Sequence, residues 1–279
     1  MLIKLLNKFI GFCAFASLII LIGCQQQTPK APALKVGVID GAETRLMQVA
    51  KFVANKRLNL DIEVVVFSDY LQPNVALNDG SLDANVFQHQ PWLDQEIKEH
   101  NYKLVTVGKT FIYPMGLYPG KSKSLSAIPV GGIISIPNDP SNEGRALLLL
   151  QKAGLIQLKK SAGIYATLQD IESNPKNLTF DELDPAQLAR SLPDVDASAI
   201  NTNFAIEANL SSARDALIRE GVDSLYANII VVRSDEQNDP RIEKLITALH
   251  SQEVVQVANK IFKNEAIPAW EIVEQDGKK

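Results

Sequence analysis

Residues 34–67 read LKVGVIDGAETRLMQVAKFVANKRLNLDIEVVVF, and this stretch decides the fold class. Leu34 to Ile39 alternates in character and predicts a strand. From Thr44 to Asn55, Leu46, Val49, Ala50 and Val53 fall on one helical face. Ile62 to Phe67 is then an apolar, β-branched run, the pattern of a parallel strand covered on both faces. Strand, helix and strand in this order make a βαβ unit, and hence an α/β fold.

Further strands are expected at Ala84 to Phe87, Leu104 to Val107, Ile133 to Ile136, Ala197 to Ile200 and Ile229 to Val232. Glu143 to Lys152 predicts a helix with Gly154 just past its end, and its Leu147 to Leu150 run predicts burial on more than one side. Asp239-Pro240 opens a helix carrying Ile242, Leu245, Ile246 and Leu249. Ser251 caps another with Val254, Val257, Ala258 and Ile261 on one face. The length suits two lobes of roughly 100–150 residues.

The N-terminus sets the compartment. Lys4 and Lys8 precede an apolar stretch, Phe9 to Ile22, that is short for a membrane span. Leu21-Ile22-Gly23-Cys24 resembles a bacterial lipobox, which implies that residues 1–23 are a signal peptide and that Cys24 is diacylated, palmitate included. An uncleaved anchor is the alternative, and either way the rest of the chain lies outside the cytoplasm. Residues 24–33, polar with two prolines, read as a tether. Cys13 and Cys24 are the only cysteines, so the mature domain has no thiol to pair. Losing residues 1–23 removes two lysines and no acid, which moves the formal charge from −4 to −6. That surface argues against nucleic acid as a partner.

Enzyme signatures are missing from the sequence: G-x-S-x-G, H-E-x-x-H and C-x-x-C do not occur. Gly116 to Ser122, GLYPGKS, has one residue too few between its glycines for a phosphate loop. Three histidines far apart in sequence give a metal cluster little support. The expectation is a binding protein with no cofactor, no metal and no chemistry of its own.

Four segments carry more information: Asp83–Leu93 (DANVFQHQPWL), Gly108–Gly116 (GKTFIYPMG), Ile136–Leu147 (IPNDPSNEGRAL), and Ile200–Ala205 (INTNFA) with Tyr226–Val231 (YANIIV). Together they resemble the NlpA/MetQ family of methionine-binding lipoproteins, over about Leu34 to Trp270. The resemblance implies a periplasmic-binding-protein-like fold, two α/β lobes joined by crossing strands with the ligand cleft between them. Lobe one would comprise residues 34–117 and 229–270, lobe two 118–228, with hinges near Leu117 to Pro119 and Asn228 to Val232, and 271–279 a tail. It implies a monomeric, lipid-anchored protein facing the periplasm or cell exterior, which captures L-methionine for the permease and ATPase subunits of an ABC importer. Another apolar amino acid or a short methionine-containing peptide is the alternative ligand. A structural or adhesive lipoprotein is the alternative from another class.

A free amino acid needs fixed donors for its carboxylate, ideally a guanidinium fork. Arg145 follows a strand-to-helix turn whose N-terminal N–H groups would add to the donors, and Gly144 would let the backbone come close. The bland alternative is a surface arginine, though a cation in a first helical turn is disfavoured by the dipole. The ammonium needs three acceptors. Asn201 and Asn228 end and begin strands, and the resemblance assigns both to the ligand's α-substituents; turn and cap chemistry is their alternative. Asn142 joins them through the same motif. An apolar slot for a thioether falls to Tyr70, Phe87, His89 and Trp92 by position in the motif, with Phe87 and His89 on one face of a strand end. His89 could equally be a structural hydrogen-bonder. Relatives usually carry tyrosine where this chain has Trp92.

Overall fold

Leu34–Ile39 forms strand β1 and Ile62–Phe67 forms β2, paired in parallel from Leu34 opposite Ile62 to Ile39 opposite Phe67. Helix α1, Ala42–Leu58, connects them and buries Leu46, Met47, Ala50, Val53 and Ala54. Helix α2 (Gln72–Asn78), β3 (Ala84–His89), α3 (Gln90–His100) and β4 (Leu104–Ile112) follow. The chain then crosses to a second sheet, contributing β5 (Gly116–Pro119), β6 (Ile133–Pro137), helix α4 (Pro140–Lys152), β7 (Thr179–Leu183), β8 (Ala197–Ile200), helix α5 (Thr202–Glu207) and β9 (Ile218–Arg219). It returns to the first sheet as β10 (Ala227–Arg233), adds helices α6 (Pro240–Leu249) and α7 (Gln252–Ile261), and ends on β11 (Ile267–Pro268). This computed structural model describes residues 32–221 and 225–272. The expected signal peptide, Cys24, nearly all of the tether and the tail from residue 273 lie outside the described residues.

The first sheet has the order β11-β4-β10-β3-β1-β2 and the second β9-β5-β8-β6-β7. The result is a two-lobed α/β fold, each lobe with its own core. In the first lobe α1, α6 and α7 pack on β1, β3 and β10 through Leu46, Ile230, Leu245 and Val254. In the second, α4 sends Ala146, Leu147 and Leu150 against Ile134, Ile136 and Ala199. Helix α4 is buried on several sides, as its leucine run predicts. Its cap is Asp139, whose carboxylate accepts from the Asn142 N–H. Ser251 caps α7 and Asp239 caps α6 in the same way.

Two expectations change. Strand β2 is not covered on both faces: it is the edge strand, Glu63 and Val66 are exposed, and only Ile62 is fully buried. An apolar run alone does not distinguish a central from an edge strand. The crossings also lie upstream of the expected hinges. Leu117 to Pro119 belong to β5, inside the second sheet opposite β8, and Asn228 to Val232 belong to β10, inside the first sheet. The first connection is residues 113–115, and the second begins at Glu220, directly after β9.

Candidate ligand-binding site

Between the lobes lies a narrow cavity of about 30 Å³. Tyr70, Phe87, His89, Trp92, Asn142, Arg145, Asn201 and Asn228 all line it. Gly144 does not, and its expected role is corrected. A Cβ at this position would stand 2.3 Å from the Ile164 carbonyl oxygen, so the glycine lets α4 pack against the 164–166 backbone rather than against a ligand.

The apolar side is built by strand alternation. Phe87 and His89 project together from the end of β3, and Trp92 follows in the first turn of α3. Tyr70 stands edge-on to Trp92 with ring centroids 5.6 Å apart, and Phe204 closes on Tyr70 at 5.2 Å. Phe204 backs Tyr70 from the second lobe without lining the cavity, a contact that the sequence did not single out. Trp92 is 7% exposed, and its Nε1 has no hydrogen-bond partner among the described residues.

His89 is both structural and lining. Its Nδ1 accepts from the Trp92 N–H, capping α3, and its Nε2 lies 3.2 Å from Asn142 Oδ1. Since Asn142 Oδ1 can only accept, the proton resides on Nε2. Burial, and then the charge of Arg145, push the imidazole down to about 3, so it stays neutral at physiological pH.

A chain of hydrogen bonds fixes the amides around it. Asn142 Nδ2 donates to both carboxylate oxygens of Asp139 at 3.0 Å. That turns Asn142 Oδ1 toward His89 and toward Asn201, whose Nδ2 donates to it at 2.9 Å. Asn201 Oδ1 is thereby left facing away, buried and without a partner among the described residues. Asn228 donates from Nδ2 to the Phe87 carbonyl and to Glu43 Oε1, each at 3.1 Å, which leaves its own Oδ1 open. Tyr70 donates to Asn203 Oδ1 at 2.8 Å across the cleft, and Asn203 Nδ2 is left unmatched among the described residues.

Arg145 is 4% exposed, and part of its fork is already occupied. Nε donates to Glu220 Oε1 at 2.7 Å, and Nη2 donates to Glu220 Oε2 at 2.6 Å and to the Tyr113 carbonyl at 3.0 Å. The guanidinium also stacks over the Tyr226 ring, 4.4 Å from its centroid. Burial works against its charge, but Glu220 more than restores it, and the net shift is upward. Only the Nη1 edge remains for a ligand. The expected help from the helix N-terminus is also reduced, because Asp139 takes the Asn142 N–H.

Glu43 is the lining group the sequence did not single out. It sits in the first turn of α1, where Gly41 at φ 101° lets the chain bend into the helix beneath the Glu207 side chain. Glu43 is 7% exposed, and its Oε2 is buried without a partner. Burial pushes its carboxyl up to about 8, against the Ile39 backbone and the Asn228 amide that pull it down, of which only Asn228 stands at hydrogen-bonding distance. Among the described residues no cluster of His, Cys, Asp or Glu is placed to hold a metal ion.

Comparison with known proteins agrees with this architecture. The family model described as NlpA lipoprotein matches residues 34–270. The chain is 47% identical over 268 residues to the D-methionine-binding lipoprotein MetQ of Salmonella typhimurium (strain LT2), covering 94% of this chain and 99% of that one. Among solved structures, an ABC transporter periplasmic substrate-binding protein from Coxiella burnetii is 57% identical with a TM-score of 0.83, covering 85% of this chain and all (100%) of that one. A nutrient-binding protein from Burkholderia cenocepacia, bound to methionine, is 48% identical with a TM-score of 0.83 and the same coverage, 85% and 100%.

Proposed function

The chain belongs to the NlpA lipoprotein family, and from that premise we propose that it captures methionine outside the cytoplasm and delivers it to an ABC importer. It is a binding protein and not an enzyme. The observation that carries the reading is the cavity's distribution of open atoms. Asn201 Oδ1 and Asn228 Oδ1 offer acceptors, the Arg145 Nη1 edge offers donors, and an aromatic slot of Tyr70, Phe87 and Trp92 adjoins them. That set matches a zwitterion with one apolar side chain. The carboxylate would take the Arg145 edge, the ammonium the two amide oxygens, and the side chain the slot, where sulfur–ring contacts add about 0.3–1.5 kcal/mol. His89 and Asn142 would serve by orientation, since their polar atoms are spent on each other and on the protein.

The delivery partners would be the importer's permease and ATPase subunits, with the protein acting as a monomer held to the membrane through acylated Cys24. No helix among the described residues is long and apolar enough to cross a membrane. The test begins by unfolding the purified domain, identifying released small molecules by mass spectrometry, and refolding it empty. Calorimetry with L-methionine, D-methionine and alanine then ranks ligands, both enantiomers entering because the Salmonella relative is named for the D form. Trp92→Ala should weaken methionine about tenfold, by the worth of one aromatic contact and its buried area, and leave alanine nearly unchanged. Absence of any amino-acid binding by the refolded protein would overturn the reading.

A further inference from the structure

Three acceptors are needed to saturate an ammonium group, and the two asparagines supply two. We propose that Glu43 supplies the third, reading a free α-ammonium group on the ligand and releasing a proton to solvent as the ligand enters. The inference rests on the amino-acid reading above and narrows it to ligands with an unblocked amine.

The geometry carries it. Glu43 reaches the cavity from the first turn of α1 with Oε1 held by Asn228 Nδ2, so Oε2 has a fixed place in the wall. Oε2 is buried and takes no partner among the described residues. Behind it lies a second cavity lined by Val38, Leu46, Met47 and Phe111, which gives the carboxyl apolar surroundings on its far side. The amide that holds Glu43 is the same Asn228 whose Oδ1 stays open, so the two acceptors are positioned by one hydrogen bond. An unpaired carboxylate in such a place is costly, whereas one beside an ammonium is not. The empty site therefore keeps the carboxyl protonated. When the ammonium arrives, the O–H bond breaks, its electron pair stays on the carboxylate, and the proton passes to buffer.

The neighbouring phenols and imidazole do not titrate in the same window. Tyr70 and Tyr113, the phenols packed nearest, are held well above their usual range by burial and then by Glu43 itself. His89 is neutral, pushed down to about 3. Arg145 is tied to Glu220, and Arg45 of α1 turns outward to Glu207 at 2.8 Å. Asp139, across the cavity and raised mainly by burial, accepts from Asn142 and Ser141.

The sign follows from linkage. The free site binds one more proton than the filled site below about pH 8, so affinity rises with pH, by up to about tenfold per unit, until Glu43 ionises unaided. It falls again as pH drops, and levels off once Glu43 is protonated in the filled site too.

Calorimetry of methionine binding to the refolded, empty wild-type protein, near neutral pH in two buffers of different ionisation enthalpy, counts the protons released. The expected count is close to one per ligand. Glu43→Gln should release none, lose the pH dependence and bind about 10- to 100-fold more weakly, the loss of one charge-assisted hydrogen bond. N-acetyl-methionine should fail to bind the wild type. Methionine binding with no proton release, or tight binding of N-acetyl-methionine, would overturn the role of Glu43 while leaving the amino-acid reading in place. These two wild-type measurements decide the matter even if the variant does not fold. Failure to bind any amino acid would overturn both readings together.

Discussion

Asn142 and Glu43 face the same cavity and are treated in opposite ways by the protein. Every polar atom of the Asn142 side chain is hydrogen-bonded: Nδ2 to Asp139, Oδ1 from His89 and Asn201. Glu43 has one oxygen held and the other left bare. Both are buried to a similar degree, so exposure does not account for the difference. A buried polar atom without a partner destabilises a fold by about 1–3 kcal/mol, and a site that keeps several of them is incomplete without its ligand. On the proposed reading, saturated groups set geometry and open groups recognise.

The hardest test of this division is Arg145, which belongs to both kinds. Arg145→Ala should lower amino-acid affinity by about 100- to several-thousand-fold for every ligand, corresponding to about 3–5 kcal/mol for an unpaired buried charge. It should also lower the melting temperature by stranding Glu220. Adding Glu220→Gln should recover the melting temperature and none of the affinity. Recovery of both by the double variant would show that Arg145 is purely structural. Asn142→Ala comes next. It removes the partner of His89 and Asn201 without removing a proposed ligand contact, so a loss of about 10- to 100-fold would reflect orientation alone. Asn201 Nδ2 would then be free to turn, and a crystal structure of the variant should show that amide in a new orientation. The smallest effect is expected at the mouth, where the Tyr165 hydroxyl donates to the Pro91 carbonyl at 3.2 Å across the cleft. Tyr165→Phe should cost several-fold in affinity, about 0.5–1.5 kcal/mol, seen by calorimetry mainly as faster release.

The sequence was most legible where local pattern and tertiary environment coincide. The βαβ unit from Leu34 to Phe67, the buried α4 and the caps at Asp239 and Ser251 follow from periodicity and capping chemistry. The Phe87–His89–Trp92 cluster could be read because the family motif marks it, and strand alternation then puts Phe87 and His89 on one face. Glu220 was not legible. It lies 75 residues from Arg145, in a segment with no motif, and only the folded crossing brings the two together. Glu43 was hidden for a different reason. An acid in a first helical turn ordinarily satisfies the dipole at the surface, and nothing in the local sequence shows that this turn is buried under the second lobe. Thr179–Leu183, polar in sequence, becomes an edge strand only because β6 lies beside it in parallel.

The bonds running from Asp139 through Asn142 to Asn201 and His89 resemble a row of water molecules in ice. Each amide has a donor end and an acceptor end, and a row of them can point in either sense at nearly equal energy. Asp139 breaks that degeneracy, because both of its carboxyl oxygens accept from the Asn142 amide and so force the row to run one way. The tautomer of His89 and the face that Asn201 turns to the cavity are consequences of this choice made one and two bonds away. Exchanging Asp139 for an amide would preserve the shape of the row while letting it point both ways, giving a pocket whose hydrogen-bonding polarity is a mixture.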